Sequence, residues 1–216
     1  AAELIAQAAH VSASYRGAVK RQLEVQGAPG PYGVSAAGPI DTTDDGLHYI
    51  GPTLDLATTP VLPVSADAVE PEAPPDPVAQ AAGAELEAAL EEAQQITLAG
   101  MRVVDPAGTV VASTGGERGL SLAHREEVKA ALQGEFRSLL RERVPSDPRP
   151  KGNSLSRGTK LRVFVAMPVL HEGQVWGVVV MSRTPLNLRQ SLHRLRWILL
   201  AAGVALVLLA VLAVGA

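Results

Sequence analysis

From Trp197 to Ala216 the chain runs for twenty residues without a charge, WILLAAGVALVLLAVLAVGA. At ~1.5 Å of rise per residue a helix of this length is about 30 Å long, the thickness of a bilayer's hydrocarbon core. The run predicts a C-terminal transmembrane helix over 197–216, because so long an uncharged stretch is uncommon in a soluble core. Its place at the C-terminal end rules out a cleaved leader. Arg183, Arg189, Arg194 and Arg196 precede it, and Trp197 stands where an interfacial aromatic belongs. All charged residues therefore fall in 1–196, and the 47% hydrophobic content averages two unlike regions. The chain starts at Ala1 inside a helical pattern and stops about where a span would leave the bilayer. It is read as a section of a longer protein, cut near both membrane faces.

The remaining composition narrows the chemistry. With no cysteine there is no disulfide framework, thiolate metal site or cysteine nucleophile. A net charge of -3 gives no basic face, so nucleic acid is not an expected partner.

Apolar residues at helical spacing (Leu4, Ile5, Ala8, Val11, Tyr15, Ala18, Val19, Leu23) predict a helix over 1–26, leading from an upstream membrane span. Residues 27–80 hold ten of the sixteen prolines and read as a long irregular loop, with one extended piece at Leu47–Ile50. A second helix is expected over 78–99, closed by Gly100. Met101–Val104 and Thr109–Thr114 flank the turn Asp105-Pro106-Ala107-Gly108 and form a hairpin. Ser121 reads as the N-cap of a short helix that ends at Gly134. Phe136–Val144, Lys160–Leu170 and Gln174–Arg183 supply three more strands, and 186–196 a juxtamembrane helix. Short links between strands favour antiparallel pairing. The expected fold is α+β: a five-stranded antiparallel sheet spanning 81–185 with helices packed on one face.

Three stretches carry a resemblance. Gly100–Thr114 (GMRVVDPAGTVVAST), Gly119–Gly134 (GLSLAHREEVKAALQG) and Arg162–Pro185 (RVFVAMPVLHEGQVWGVVVMSRTP) together resemble the extracytoplasmic PAS-like, single-Cache sensor region of bacterial transmembrane sensor histidine kinases. The resemblance covers roughly 100–185, and the first 80 residues match only in layout. It implies an input domain in the bacterial inner membrane with its soluble part outside, working as a homodimer. The signal would pass through the membrane helix to a cytoplasmic kinase and its response regulator. ATP and Mg²⁺ would serve only that kinase, so no cofactor is expected in this chain. The basic flank Arg183–Arg196 on the sensor side runs against the positive-inside tendency.

No catalytic residue is assigned within 1–216. There is no Walker loop, H-E-x-x-H, dinucleotide fingerprint or G-x-S-x-G elbow. The five histidines (10, 48, 124, 171, 193) lack ligand spacing, so no metal is expected. One constellation points to a ligand. Strand alternation puts Arg137, Leu139, Arg141 and Arg143 on one face, the alternate side chains about 7 Å apart. With Arg118, Arg125 and Arg162, and with His124 beside the loop that borders the cavity in PAS-like sensors, these form a candidate site for an anionic small molecule. Guanidinium forks bind carboxylates bidentately. A solvated strand face paired with glutamates is the plainer reading of the same row. Three other roles stand beside the sensor: a tail-anchored envelope scaffold, and the input domain of a chemoreceptor or of a diguanylate cyclase. A membrane-anchored hydrolase is disfavoured by the missing nucleophile–base pair.

Overall fold

The structure, a computed structural model, describes residues 2–27, 32–37, 54, 59–142 and 161–184. Helix α1 spans Ala2–Gln26, and its buried residues Leu4, Ile5, Ala8, Val11, Tyr15, Ala18 and Val19 fall on one stripe at helical spacing. Helix α2 spans Pro77–Thr97. Asp76 caps it by accepting the Ala79 N–H at 2.9 Å, and Pro77 sits in the first turn, where no amide donor is needed. The helix ends at Leu98, in the left-handed region at φ 55°, whose N–H donates to the Gln94 carbonyl. Gly100, expected to close the helix, instead opens the next strand.

Seven strands follow in chain order: β1 (Val34–Ser35), β2 (Val61–Leu62), β3 (Gly100–Val104), β4 (Val110–Ser113), β5 (Arg137–Glu142), β6 (Leu161–His171) and β7 (Gln174–Arg183). They form one sheet ordered β2-β5-β6-β7-β3-β4, with β1 paired to the start of β7. The pairings from β5 to β4 are all antiparallel, but β2 runs parallel to β5 through Val61↔Leu140 and Leu62↔Arg141. The expected five-stranded antiparallel sheet is therefore corrected to a mixed sheet of seven. The two extra strands come from the proline-rich stretch, where two-residue runs too short to show a period dock on an existing edge.

Helices also pack on both faces rather than one. On the first face α1 and α2 cover Met101, Val103, Val163, Val165, Met167, Val179 and Met181. On the second, the short helix α3 (Glu126–Leu132) covers Val104, Val110, Ala166, Val178 and Val180. Strand alternation divides these two sets. Helix α3 begins five residues after Ser121. Its N-cap position is Arg125, without a side-chain cap, whereas Ser121 bridges to Val69 and Thr109.

Among the described residues no helix is long and apolar enough to cross a membrane. Both long helices are amphipathic, α1 carrying Glu3, Arg16, Lys20 and Arg21 and α2 four glutamates. The expected transmembrane helix over 197–216 thus has no support in the structure. It lies outside the described residues, as do the expected helix over 186–196 and the extended piece Leu47–Ile50.

Two close approaches fix α1 and α2 on the sheet. A side chain at Gly83 would meet the Val111 carbonyl oxygen at 2.6 Å, so α2 lies directly on β4. A side chain at Gly177 (φ 154°) would overlap the Val104 carbonyl and meet the Tyr15 ring at 3.0 Å. Beside that ring Asp105, fully buried, organises the β3–β4 turn. One of its carboxylate oxygens accepts the Ala107 and Thr109 N–H groups at 2.9 and 2.8 Å, and the other accepts the Asp76 N–H at 3.2 Å. The Tyr15 and Tyr32 hydroxyls are buried next to Asp76 and Asp105 without a well-formed hydrogen bond, and burial pushes both phenols up.

Burial also raises the Asp105 carboxyl, against the three N–H groups that favour its charge. A raised folded value means that the stability contributed by this group is complete below the unfolded value of about 3.9 and is lost as pH rises through the folded one. Denaturant titrations of Asp105→Asn should show the difference in stability from wild type growing in the variant's favour across that window. A difference independent of pH contradicts the assignment.

Candidate functional site

The register of β5, β6, β7 and β3 places Arg141, Arg162, Ser182 and Arg102 on the α3 face. Arg141 pairs with Arg162 and Leu139 with Phe164, Phe164 pairs with Ser182, and Ser182 pairs with Gly100. The Arg162 guanidinium carbon lies 6.0 Å from the centre of the Phe164 ring. Three donors converge tightly on Gly100 on this face. A Cβ there would stand 3.0 Å from Ser182 Oγ, 3.2 Å from Arg162 Nη2 and 3.4 Å from Arg102 Nη1.

Two carboxylates face these cations. Glu127, fully buried in the first turn of α3, accepts from Arg141 Nη2 at 2.7 Å, while Arg141 Nη1 donates to the Pro63 carbonyl at 3.3 Å. Glu117 lies in the loop between β4 and α3. One of its oxygens receives both Nε (2.9 Å) and Nη2 of Arg102, and the other accepts the Ser113 hydroxyl at 3.2 Å. Burial pushes the Glu117 carboxyl up, but the hydrogen bonds and charge of Arg102 outweigh it, and the net shift is downward.

Arg125 completes the cluster. It is 8% exposed, at the N-cap position of α3, and makes no side-chain hydrogen bond or ion pair among the described residues; its Nε is buried without a partner. Burial lowers its affinity for the proton, and the charge of Arg102 adds to that, with Glu127 and Glu117 opposing. The second oxygen of Glu127 and the Arg141 Nε are likewise buried without partners. Among the described residues four guanidiniums thus share one face with two carboxylates. Buried polar groups are normally satisfied by protein or ordered water, and the Arg125 Nε departs from that rule.

The arginines named from the sequence divide. Arg125, Arg141 and Arg162 come together here. Arg118 is drawn away to Glu87 on α2 at 2.5 Å. Arg137 shares the Arg141 face but is exposed and pairs with Glu135 at 2.8 Å. His124 is exposed next to Arg125, and Arg143 lies outside the described residues. Arg102, Glu117, Glu127, Ser182 and Gly100 were not singled out in the sequence. Alternation within Gly100–Val104 puts Arg102 on the opposite side from the apolar Met101 and Val103, a signal that a single charge in a hydrophobic strand does offer. Among the described residues no group of histidines and carboxylates is placed to hold a metal ion. Comparison with protein-family models and with curated proteins gives no match for this chain.

The buried pair and the surface pair make opposite demands. Removing one partner of a buried ion pair strands the other, at a cost of about 3–5 kcal/mol. Urea denaturation of Glu127→Ala should show a loss of that order, while Arg137→Ala should change stability by less than about 0.5 kcal/mol. Equal effects from the two substitutions contradict the assignment of the Arg141–Glu127 pair to the interior.

Proposed function

We propose that the chain is a sensory input domain that binds a small anion on the α3 face and passes the resulting conformational bias to an output module. The observation that carries this reading is Arg125: a guanidinium nine-tenths buried, whose Nε has no partner among the described residues. The cluster is assembled from β3, β5, β6, β7, the loop after β4 and α3, so a bound anion bears on most of the unit at once. A ligand biases such a unit only by its differential affinity for two arrangements.

A transmission path is consistent with this. Arg183, the last residue of β7, pairs with Glu3 in the first turn of α1 at 2.9 Å. The first helix and the last strand are therefore joined side by side, and a shift of β7 against α3 is felt by α1. In the role suggested by the PAS-like resemblance, the domain belongs to a homodimeric two-component sensor histidine kinase and acts outside the cytoplasm. Its output then runs through the kinase and a response regulator. ATP and Mg²⁺ belong to that output, and no phosphoryl chemistry is assigned to the residues described.

Isothermal titration of the purified full chain with a panel of monocarboxylates, dicarboxylates, inorganic phosphate and sulfate tests the reading. One class of anion is expected to bind. Arg125→Gln should weaken it at least about tenfold, in line with the loss of a charge-assisted hydrogen bond. Arg137→Gln, in the exposed pair, should leave it unchanged. Absence of binding by every anion, or equal affinity in Arg125→Gln, overturns the proposal.

A further inference from the structure

Arg102 offers its two edges differently. The Nε and Nη2 edge, which is suited to bidentate capture of a carboxylate, is taken by one oxygen of Glu117. Only Nη1 is turned towards the Ser182 hydroxyl, packed against Gly100. The loop that carries Glu117 is anchored at the far end by the Arg118–Glu87 pair and by the Gly119 N–H on the Val110 carbonyl, but the Glu117 side chain has one further partner. Its other oxygen accepts one hydroxyl, from Ser113, and it rides on a loop with glycines at 115, 116 and 119. A side chain at Gly116 would meet nothing within 4 Å, so this part of the loop has open space around it. The Glu117 side chain is 24% exposed, so solvent reaches its carboxylate, whereas Glu127 is fully buried.

We propose that Glu117 is a built-in competitor of the ligand: its carboxylate occupies Arg102 when the site is empty, and an anion that engages Arg102 bidentately displaces it and releases the 115–117 part of the loop. This rests on the anion-binding reading above. The geometry supplies both halves of the exchange. The incoming carboxylate replaces Glu117 on a guanidinium that stays paired throughout, and the outgoing carboxylate moves on a glycine-rich loop into water. The Ser113 hydroxyl, which donates to Glu117 and accepts the Gly115 N–H at 2.9 Å, links the exchange to the loop backbone. Glu117 therefore sets the threshold of the site, since any anion weaker than this carboxylate at Arg102 fails to open the loop.

The test uses the full chain and the tightest anion of the panel. Glu117→Gln keeps the shape of the side chain and removes its charge, and should tighten binding about tenfold or more. Glu135→Gln, which removes an exposed carboxylate paired to Arg137, serves as the control for long-range charge and should change affinity less than about twofold. In the wild type, hydrogen exchange at the Gly115 amide should speed up on anion binding, a readout that a purely electrostatic role does not move. Equal or weaker binding by Glu117→Gln, an equal gain in Glu135→Gln, or unchanged Gly115 exchange on saturation overturns the inference while leaving the anion site standing. Binding by neither wild type nor Glu117→Gln removes the anion site itself.

Discussion

Strand β7 is the constraint on which the rest of the structure depends. It is hydrogen-bonded to β6 along one edge and to β3 and β1 along the other, and eight of its ten residues are buried. A strand covered on both faces must be apolar on both, and VWGVVVMS satisfies this with β-branched residues that favour the extended state. The α1–α2 core takes Val179 and Met181, and the α3 core takes Val178 and Val180. Two features break the pattern, and each has a consequence. Gly177 admits the Tyr15 ring of α1 where any side chain would collide. Ser182 places a hydroxyl in an otherwise apolar strand, within reach of Arg102 and packed closely on Gly100.

The α3 face is built at the expense of stability. A core of similar volume made of apolar residues would avoid desolvating Arg125, Arg141 and Glu127, and such replacements in other proteins are often neutral or stabilising. Here Glu127 compensates Arg141 and Glu117 compensates Arg102, while the Arg125 Nε is left buried without a partner among the described residues. The opposite face shows the contrasting solution: Asp105 meets three backbone N–H groups, and its burial is organised by the chain itself.

Much of this is legible in the sequence wherever the signal is local. The stripe Leu4, Ile5, Ala8, Val11, Tyr15 has helical period and is buried, and the Asp105–Gly108 turn joins the two strands it punctuates. Alternation alone puts Arg137, Leu139 and Arg141 on one face, which the pairing to Ala166, Phe164 and Arg162 reproduces. What is not legible depends on distant partners. Nothing near Arg141 distinguishes it from Arg137, yet one meets Glu127 in the interior and the other meets Glu135 in water. Val61–Leu62 carries too few residues to reveal a parallel strand. Ser121 has the chemistry of an N-cap, but its backbone is committed to Val69 and Thr109, and the helix starts at the residue that the site uses. The uncharged run at 197–216 is read from composition alone, and the described helices are amphipathic.

The most direct measurement of the central claim follows the arginine Nε–H resonances of the full chain by NMR while an anion is titrated in. The account predicts that the Nε–H of Arg125, without a partner in the structure, gains a hydrogen bond and shifts downfield in step with that of Arg102, while those of Arg118 and Arg137 stay where they are. Shifts confined to Arg118 and Arg137, or an Arg125 resonance unmoved at saturating anion, would contradict it.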